Sequence, residues 1–186
     1  GITIDDAVKQ LKGDAGTDVT LSVRHTGSSE PEEVTLTREI VAVETVLGDS
    51  RKPSDDWDWM LDRESGIGYI RLTAFSRETA SDLRRALNEL EDEGLNGLII
   101  DLRFNPGGLL TSAIEICDMF IEEGRIVSTQ GRNTPERTWE AKSPGTYSGL
   151  PMAILVKRYS ASASEILSAG LQDHGRAVVG GVRSWG

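Results

Sequence analysis

The sequence has little of several features that would each point to a particular class of protein. It contains one cysteine among 186 residues, so no disulfide can form within the chain. It has no apolar run near the ~20 residues that a membrane-spanning helix needs. The net charge is -10, and there is no evident basic patch of the kind that binds phosphate groups. We therefore expect a globular protein with no nucleic-acid partner and no membrane-embedded segment.

Metal-binding and repeat patterns are also missing. No internal repeat, low-complexity segment or signal peptide is recognisable, and no cluster of His, Cys and carboxylate residues has the spacing of metal ligands. We predict neither a metal nor an organic cofactor. The single cysteine, Cys117, falls on the apolar face of a predicted helix, which favours a buried, inert thiol over a nucleophile.

The most informative segment is Ser160-Ala-Ser-Ala-Ser-Glu-Ile166, which follows the apolar run Met152 to Val156 and opens a helical pattern. Ser162 is predicted to lie in the first turn of that helix. Free amide groups and the positive end of the helix dipole could there stabilise an oxyanion. The alternative is that Ser162 and Glu165 form a capping box, in which the serine only caps the helix. Capping is the commoner role of this local pattern.

A second strand-to-helix junction carries a glycine-rich turn. The apolar strand Leu98 to Leu102 runs into Asn105-Pro-Gly-Gly108 before another predicted helix. Glycines at such a junction let the backbone approach a ligand closely and present N–H groups to a negative charge. Taken alone, such a sequence is more often just a tight turn.

Together and in this order, Asp101-Leu-Arg-x-Asn-Pro-Gly-Gly108 and the Ser160 to Ile166 segment resemble the carboxy-terminal processing proteases, also called tail-specific proteases. The resemblance implies that Ser162 is the nucleophile and that a lysine is its general base. It implies an oxyanion hole made by the N–H group of Ala163 and one from Gly107 or Gly108. Arg103 and Asn105 would shape the loop rather than react.

The resemblance also implies partners and a location. Substrates would be the C-termini of proteins or peptides, the enzyme would act outside the cytoplasm, and a homo-oligomer is compatible with it. The expected lysine falls immediately after Gly186, and Ser184-Trp-Gly186 resembles the approach to it. We therefore expect residues 1–186 alone to be inactive. A non-catalytic relative that binds peptides or other ligands is the alternative.

Three other residues are candidate catalytic partners of Ser162. Lys157 is the lysine nearest in sequence, but a strand residue before the turn is not obviously aimed at the serine. Asp173 would lie roughly 16 Å from Ser162 along a continuous helix, too far for contact, so we assign it structural support. His174 is expected to contact free carbonyl groups in the last turn of the same helix. Tyr159 and Lys157 replace a glycine and an asparagine that are common in the family.

The predicted fold class is α/β, a mostly parallel sheet with helices on its faces, of the ClpP/crotonase type. Residues 1–42 contain a helix and a hairpin that resemble the C-terminal part of a PDZ domain. Residues 43–65 are predicted to be a connecting segment, and residues 66–186 to form the protease core, incomplete at its C-terminus. Predicted core strands cover 66–75, 98–102, 125–129, 152–156 and 176–180. Both motifs follow strand ends, so Ser162 and the Gly107-Gly108 turn should face each other.

Overall fold

The computed structural model describes residues 2–41, 43–132, 134–142 and 147–186. The chain divides into two compact units, Gly1–Val43 and Glu44–Gly186. The first unit contains helix α1 (Ile4–Leu11) and an antiparallel hairpin of β1 (Asp18–Val23) and β2 (Glu32–Thr37). This is the predicted order of elements, and the assignment to a PDZ domain stays a prediction.

The second unit is built around a six-stranded sheet. Its elements are β3 (Val46–Leu47), β4 (Ser50–Arg51), β5 (Trp57–Asp58), β6 (Met60–Asp62), β7 (Ile67–Leu72), α2 (Thr79–Asp92), β8 (Gly97–Asp101), α3 (Leu110–Asp118), β9 (Arg125–Gly131), β10 (Thr134–Glu140), β11 (Met152–Val156), α4 (Ala163–Asp173) and β12 (Val178–Gly181). The strand order is β12-β11-β8-β7-β3, and β6 also pairs with β7. Strands β12, β11, β8 and β7 are parallel, whereas β3 and β6 run antiparallel to β7. The predicted mostly parallel α/β sheet is confirmed.

Buried and half-buried side chains alternate along the strands, and the buried ones form the core. Ile70 and Leu72 of β7, Ile100 of β8 and Ile154 of β11 are completely buried, while the residues between them on β7 are only half-buried. The apolar stripe of α2 lies in the same core, with Leu83, Leu87 and Leu90 fully buried. Each such side chain contributes about 1.5–3 kcal/mol by leaving water. This core fixes the sheet that carries both motifs.

One predicted strand is placed differently. The segment 125–129 was expected to add to the central sheet, but β9 pairs antiparallel with β10 in a separate two-stranded sheet. β10 was not predicted because its sequence, Thr-Pro-Glu-Arg-Thr-Trp-Glu, lacks an apolar alternation. Its register shifts between Thr134 and Arg137, across a proline that cannot donate a ladder hydrogen bond.

The parallel pairing brings the two motif segments to one edge of the sheet. Asp101, the last residue of β8, is in register with Leu155 of β11. The segments that follow these strands, 102–109 and 157–162, therefore leave the sheet side by side, as expected at the carboxyl edge of a parallel sheet. Within the part of the chain that the structure describes, no helix combines the length and the apolarity needed to cross a membrane.

Candidate active site

Ser162 stands at the sharp turn between β11 and α4. Its backbone has φ +53° and ψ −115°, a region that residues other than glycine rarely occupy and that costs on the order of 1–3 kcal/mol. The residue is exposed and occupies the N-cap, just before the helix rather than in its first turn. One half of the predicted capping box is present, because the Ser162 N–H donates to Glu165 Oε2 at 2.7 Å. In the other half, the Glu165 N–H donates to the carbonyl oxygen of Ser162 at 2.8 Å, and the Ser162 side chain makes no cap hydrogen bond. The hydroxyl of Ser162 is thus not used in capping the helix.

The two neighbouring serines have structural hydrogen bonds instead. Ser160 Oγ donates to the carbonyl oxygen of Leu102 at 2.7 Å and accepts from the N–H of Lys157 at 2.9 Å. Ser164 Oγ donates to the carbonyl oxygen of Asn105 at 3.0 Å. Both side chains are fully buried. Of the three serines in the motif, Ser162 alone is open to a substrate.

Asn105 joins the glycine-rich turn to its surroundings. It is fully buried, and its Nδ2 donates to the carbonyl oxygen of Leu72 at the end of β7, 2.9 Å away. Its Oδ1 accepts from the N–H of Gly107 at 2.8 Å, and its carbonyl oxygen accepts from the N–H of Ala161 at 3.1 Å. One side chain and its own backbone therefore hold three segments at fixed separations.

The two glycines of this turn are packed against different neighbours, and Gly107 lies directly against the serine. Gly107 has φ +100°, and a Cβ atom there would fall 2.8 Å from Ser162 Cβ and 2.9 Å from the nitrogen of Ala163. On the other side, the N–H of Phe75 donates to the carbonyl oxygen of Gly107 at 3.0 Å. Gly108, at φ +146°, is packed on the backbone of Phe75 so closely that it has no room for a side chain. Only glycine fits both positions.

The hydrogen bonds show which of the three predicted oxyanion donors already has an acceptor. The N–H of Gly107 is already used by Asn105 Oδ1, which removes it from the predicted set. The N–H groups of Gly108 and Ala163 have no acceptor among the described residues. Ala163 is also the first residue of α4, where amide groups lack an intrahelical partner and the dipole favours negative charge. The geometry therefore narrows the candidate pair to Gly108 and Ala163.

A buried ionic cluster fixes the start of the turn. The Asp101 carboxylate accepts from Tyr69 Oη at 2.6 Å, from Arg103 Nη2 at 2.7 Å and from the Arg103 N–H at 2.8 Å. Burial acts to raise the pKa of Asp101, but the hydrogen bonds from Arg103 and Tyr69 outweigh it, and the net shift is downward. Burial and the carboxylate together raise the pKa of Tyr69 to about 12. At neutral pH this cluster is an anchor, not an acid or a base.

Among the described residues, none of the side chains of Lys157, Asp173 and His174 makes a hydrogen bond to Ser162. Lys157 Nζ lies 4.9 Å from the ring centre of Phe104. The His174 N–H donates to the carbonyl oxygen of Gly170 in the last turn at 3.2 Å, as predicted, but its side-chain Nε2 makes a 2.9 Å hydrogen bond with the carbonyl oxygen of Arg125 in β9. Asp173 is exposed and has no hydrogen bond or ion pair among the described residues, and its supporting role stays a prediction. The expected lysine lies outside the described residues.

Glu165 has a role that sequence reasoning did not find. Besides binding the Ser162 N–H, its Oε1 accepts from Ser184 Oγ and from the Gly186 N–H, both at 2.8 Å. The N–H of Trp185 donates to the carbonyl oxygen of Ser160 at 3.1 Å. Burial acts to raise the pKa of Glu165, but these bonds lower it overall, so the group is ionised at neutral pH. The sequence signal was the capping box alone, which says nothing about contacts 19 and 21 residues away.

Two remaining predictions concern chemistry away from the serine. Cys117 is fully buried, as predicted, and burial raises the pKa of its thiol to about 12; its inertness stays a prediction. Across the described ranges, no group of three or more His, Cys, Asp and Glu residues could hold a metal ion.

Comparisons with known proteins bear on the same residues. A family model described as peptidase family S41 matches residues 66–186, which include both motifs. A carboxy-terminal-processing protease of Bartonella bacilliformis is 37% identical over 191 residues, covering 100% of this chain and 41% of the relative. A carboxyl-terminal-processing protease of Synechocystis is 34% identical over 187 residues, with the same coverage. The chain thus spans about two fifths of the length of these relatives.

A solved structure of a protease with a similar name has a similar fold. The photosystem II D1 C-terminal processing protease superposes with a TM-score of 0.64 at 26% identity, over 100% of this chain and 49% of that one. The family match covers the four parallel strands of the sheet, the glycine-rich turn and the exposed serine together. The chain therefore belongs to peptidase family S41.

Proposed function

We propose that the protein is a serine endopeptidase that cleaves protein substrates near their C-termini. The observation that carries this proposal is the position of Ser162, which is exposed, strained and next in the chain to the unused amide group of Ala163. Ser162 is also packed against Gly107, whose neighbour Gly108 has the second unused amide group. The names of the curated relatives, which process carboxyl termini, support the substrate class.

In the proposed reaction a base removes the proton of Ser162 Oγ, and the oxygen attacks the carbonyl carbon of the scissile peptide bond. The carbonyl oxygen becomes an oxyanion that accepts hydrogen bonds from Gly108 and Ala163. Collapse of this intermediate breaks the C–N bond, and the protonated base gives its proton to the leaving amine. Water then hydrolyses the resulting ester and regenerates the serine.

We propose that the base is a lysine that follows Gly186, as the family resemblance implies. The contacts of Glu165 with Ser184 and Gly186 support this, because they hold the approaching chain beside the N–H of Ser162. Lys157 and His174 are engaged elsewhere. Residues 1–186 should then be inactive alone, because an alcohol of high pKa is a poor nucleophile without a partner to accept its proton.

Two further parts of the proposal rest on the resemblance. We propose that residues 1–42 are part of a PDZ domain, which binds a peptide C-terminus by adding it as a strand. We also propose that the protein acts outside the cytoplasm.

The test compares the full product of the gene that encodes residues 1–186 with residues 1–186 alone. Each is incubated with an unfolded protein that has an apolar C-terminus, and fragments are quantified by mass spectrometry. We expect Ser162-dependent cleavage by the full gene product and none by residues 1–186. Ser81→Ala is the matched control, because Ser81 is an exposed serine on α2, away from both motifs.

Three outcomes would contradict the proposal in different ways. Cleavage that survives Ser162→Ala would remove the nucleophile. Ser162-dependent cleavage by residues 1–186 alone would place the base within them and return Lys157 to consideration. Binding of the substrate without any cleavage by the full gene product would favour the non-catalytic, peptide-binding alternative.

A further inference from the structure

Two exposed aromatic side chains flank the serine site and have no part in the mechanism above. Phe104 belongs to the turn after β8, and Tyr159 to the turn after β11. Their rings stack with centroids 6.1 Å apart and an angle of 21° between planes. Phe104 is 52% exposed and Tyr159 is 55% exposed, although the residue after each, Asn105 and Ser160, is fully buried.

The backbone under this pair is unusual and rigid. Phe104 has φ +66°, a left-handed conformation that costs a bulky residue on the order of 1–3 kcal/mol. The residues on either side are fixed, since Arg103 is bound to Asp101 and Asn105 is buried in its hydrogen-bond network. The turn before Ser160 is closed by the Ser160 N–H, which donates to the Lys157 carbonyl oxygen at 2.7 Å. Strain and exposure of an aromatic ring are both unfavourable, so folding alone does not explain this arrangement.

We propose that Phe104 and Tyr159 form a shelf that binds the aromatic or large aliphatic side chain of a substrate residue adjoining the scissile bond. This inference rests on the proposed function, because it names a substrate feature for the same site. Aromatic rings offer large apolar faces with little rotational freedom to lose, which suits selection of one side chain. Lys157 Nζ, 4.9 Å from the Phe104 ring centre, helps to hold that ring in place.

The position of the shelf favours a substrate side chain as its occupant. The carbonyl oxygen of Asn105, the residue after Phe104, accepts from the N–H of Ala161, the residue before Ser162. Phe104 precedes Gly107 by three residues and Tyr159 precedes Ser162 by three residues, so both rings stand on the turns that lead into the proposed oxyanion hole. Since an extended peptide advances only about 3.3 Å per residue, the substrate side chains next to the scissile bond are the ones placed nearest to these turns.

The test uses the full gene product and four peptides of otherwise identical sequence. One pair carries Phe or Ala immediately before the cleaved bond, and the other pair carries Phe or Ala immediately after it. The variant is Phe104→Asn, since asparagine tolerates positive φ and keeps the turn while it removes the ring. Leu61→Ala is the control, because Leu61 is 47% exposed on β6, whose partner residues lie at the opposite end of β7 from the site.

We expect kcat/KM to favour Phe over Ala by about tenfold or more on one side of the bond, as burial of an aromatic side chain allows. Phe104→Asn should reduce that ratio to about twofold or less by slowing the Phe peptide, and Leu61→Ala should leave it unchanged. A preference that survives Phe104→Asn, or a variant that slows the Phe and Ala peptides equally, would overturn the shelf.

A binding experiment keeps the shelf and the proposed function distinguishable. Fluorescence anisotropy of the same peptides is measured on Ser162→Ala, with and without Phe104→Asn. If the full gene product fails to cleave any peptide, the proposed function fails, and the shelf is still supported by tighter binding of a Phe peptide that Phe104→Asn abolishes. If cleavage depends on Ser162 but binding shows no Phe preference, the shelf is refuted and the proposed function stands.

Discussion

Replacing Gly107 by alanine should strongly destabilise the second unit, because two separate penalties meet at this residue. A non-glycine residue at φ +100° costs roughly 1–2 kcal/mol in backbone strain. The new Cβ would also lie 2.7 Å from the carbonyl oxygen of Ala161 and 2.8 Å from Ser162 Cβ, and overpacking of this kind costs about 1–3 kcal/mol more. We expect a total loss of about 2–5 kcal/mol in the free energy of unfolding.

Gly94→Ala provides the matched control in the same unit. Gly94 has φ +88°, but a Cβ there would meet no atom within 4 Å, so only the strain penalty applies. Unfolding in urea is followed by tryptophan fluorescence, and the first unit contains no tryptophan, so the signal reports Glu44–Gly186. The midpoint for Gly107→Ala should fall by about 1 M or more, and clearly further than for Gly94→Ala. Equal shifts would mean that Gly107 is not packed against Ser162, and the site geometry would be refuted.

Three further outcomes test other parts of the account. Ser164→Ala removes the buried hydrogen bond to the Asn105 carbonyl oxygen and should lower the free energy of unfolding by about 1 kcal/mol in the same urea assay. No change would mean that this bond does not hold the turn. The pKa of Asp101 is lower in the folded state than the unperturbed value of 3.8, so the charged carboxylate stabilises the fold above that pH and this effect is lost as the pH falls below it. The difference in the free energy of unfolding between the protein and Asp101→Asn should therefore shrink in acid. A difference that stays constant with pH would refute the role of the charge. Cys117 should not react with a thiol reagent near pH 8 until the protein unfolds, and rapid labelling of the native protein would show that it is accessible.

The central sheet could be predicted because its strands are apolar runs separated by helices with a clear stripe. The pattern of Leu83, Leu87 and Leu90 fixed α2 and its buried face, and Leu98 to Leu102 fixed β8. By contrast, β10 has one large apolar residue, Trp139, and is defined by pairing with β9, which no local pattern reveals. The elements that could be predicted are those whose burial requires a pattern of apolar residues. The strand that was missed is defined by its hydrogen bonds to another strand and not by such a pattern.

At the site, the sequence located the two segments but not the roles of individual atoms. Ser160, Ser162 and Ser164 look alike in the motif, and only their different burial separates them. The bond from the Gly107 N–H to Asn105 Oδ1 had a usable signal, because an asparagine side chain commonly accepts from the amide two residues on. The bond of His174 to Arg125 spans 49 residues and had no signal.

The most direct test of the central claim is to find the acyl group on the enzyme. The full gene product is mixed with a peptide that it cleaves, quenched in acid within one turnover, digested and analysed by mass spectrometry. The account predicts an adduct with the mass of the N-terminal product on Ser162, absent from Ser162→Ala. An adduct on Ser160, Ser164 or any other residue, with cleavage intact in Ser162→Ala, would contradict it.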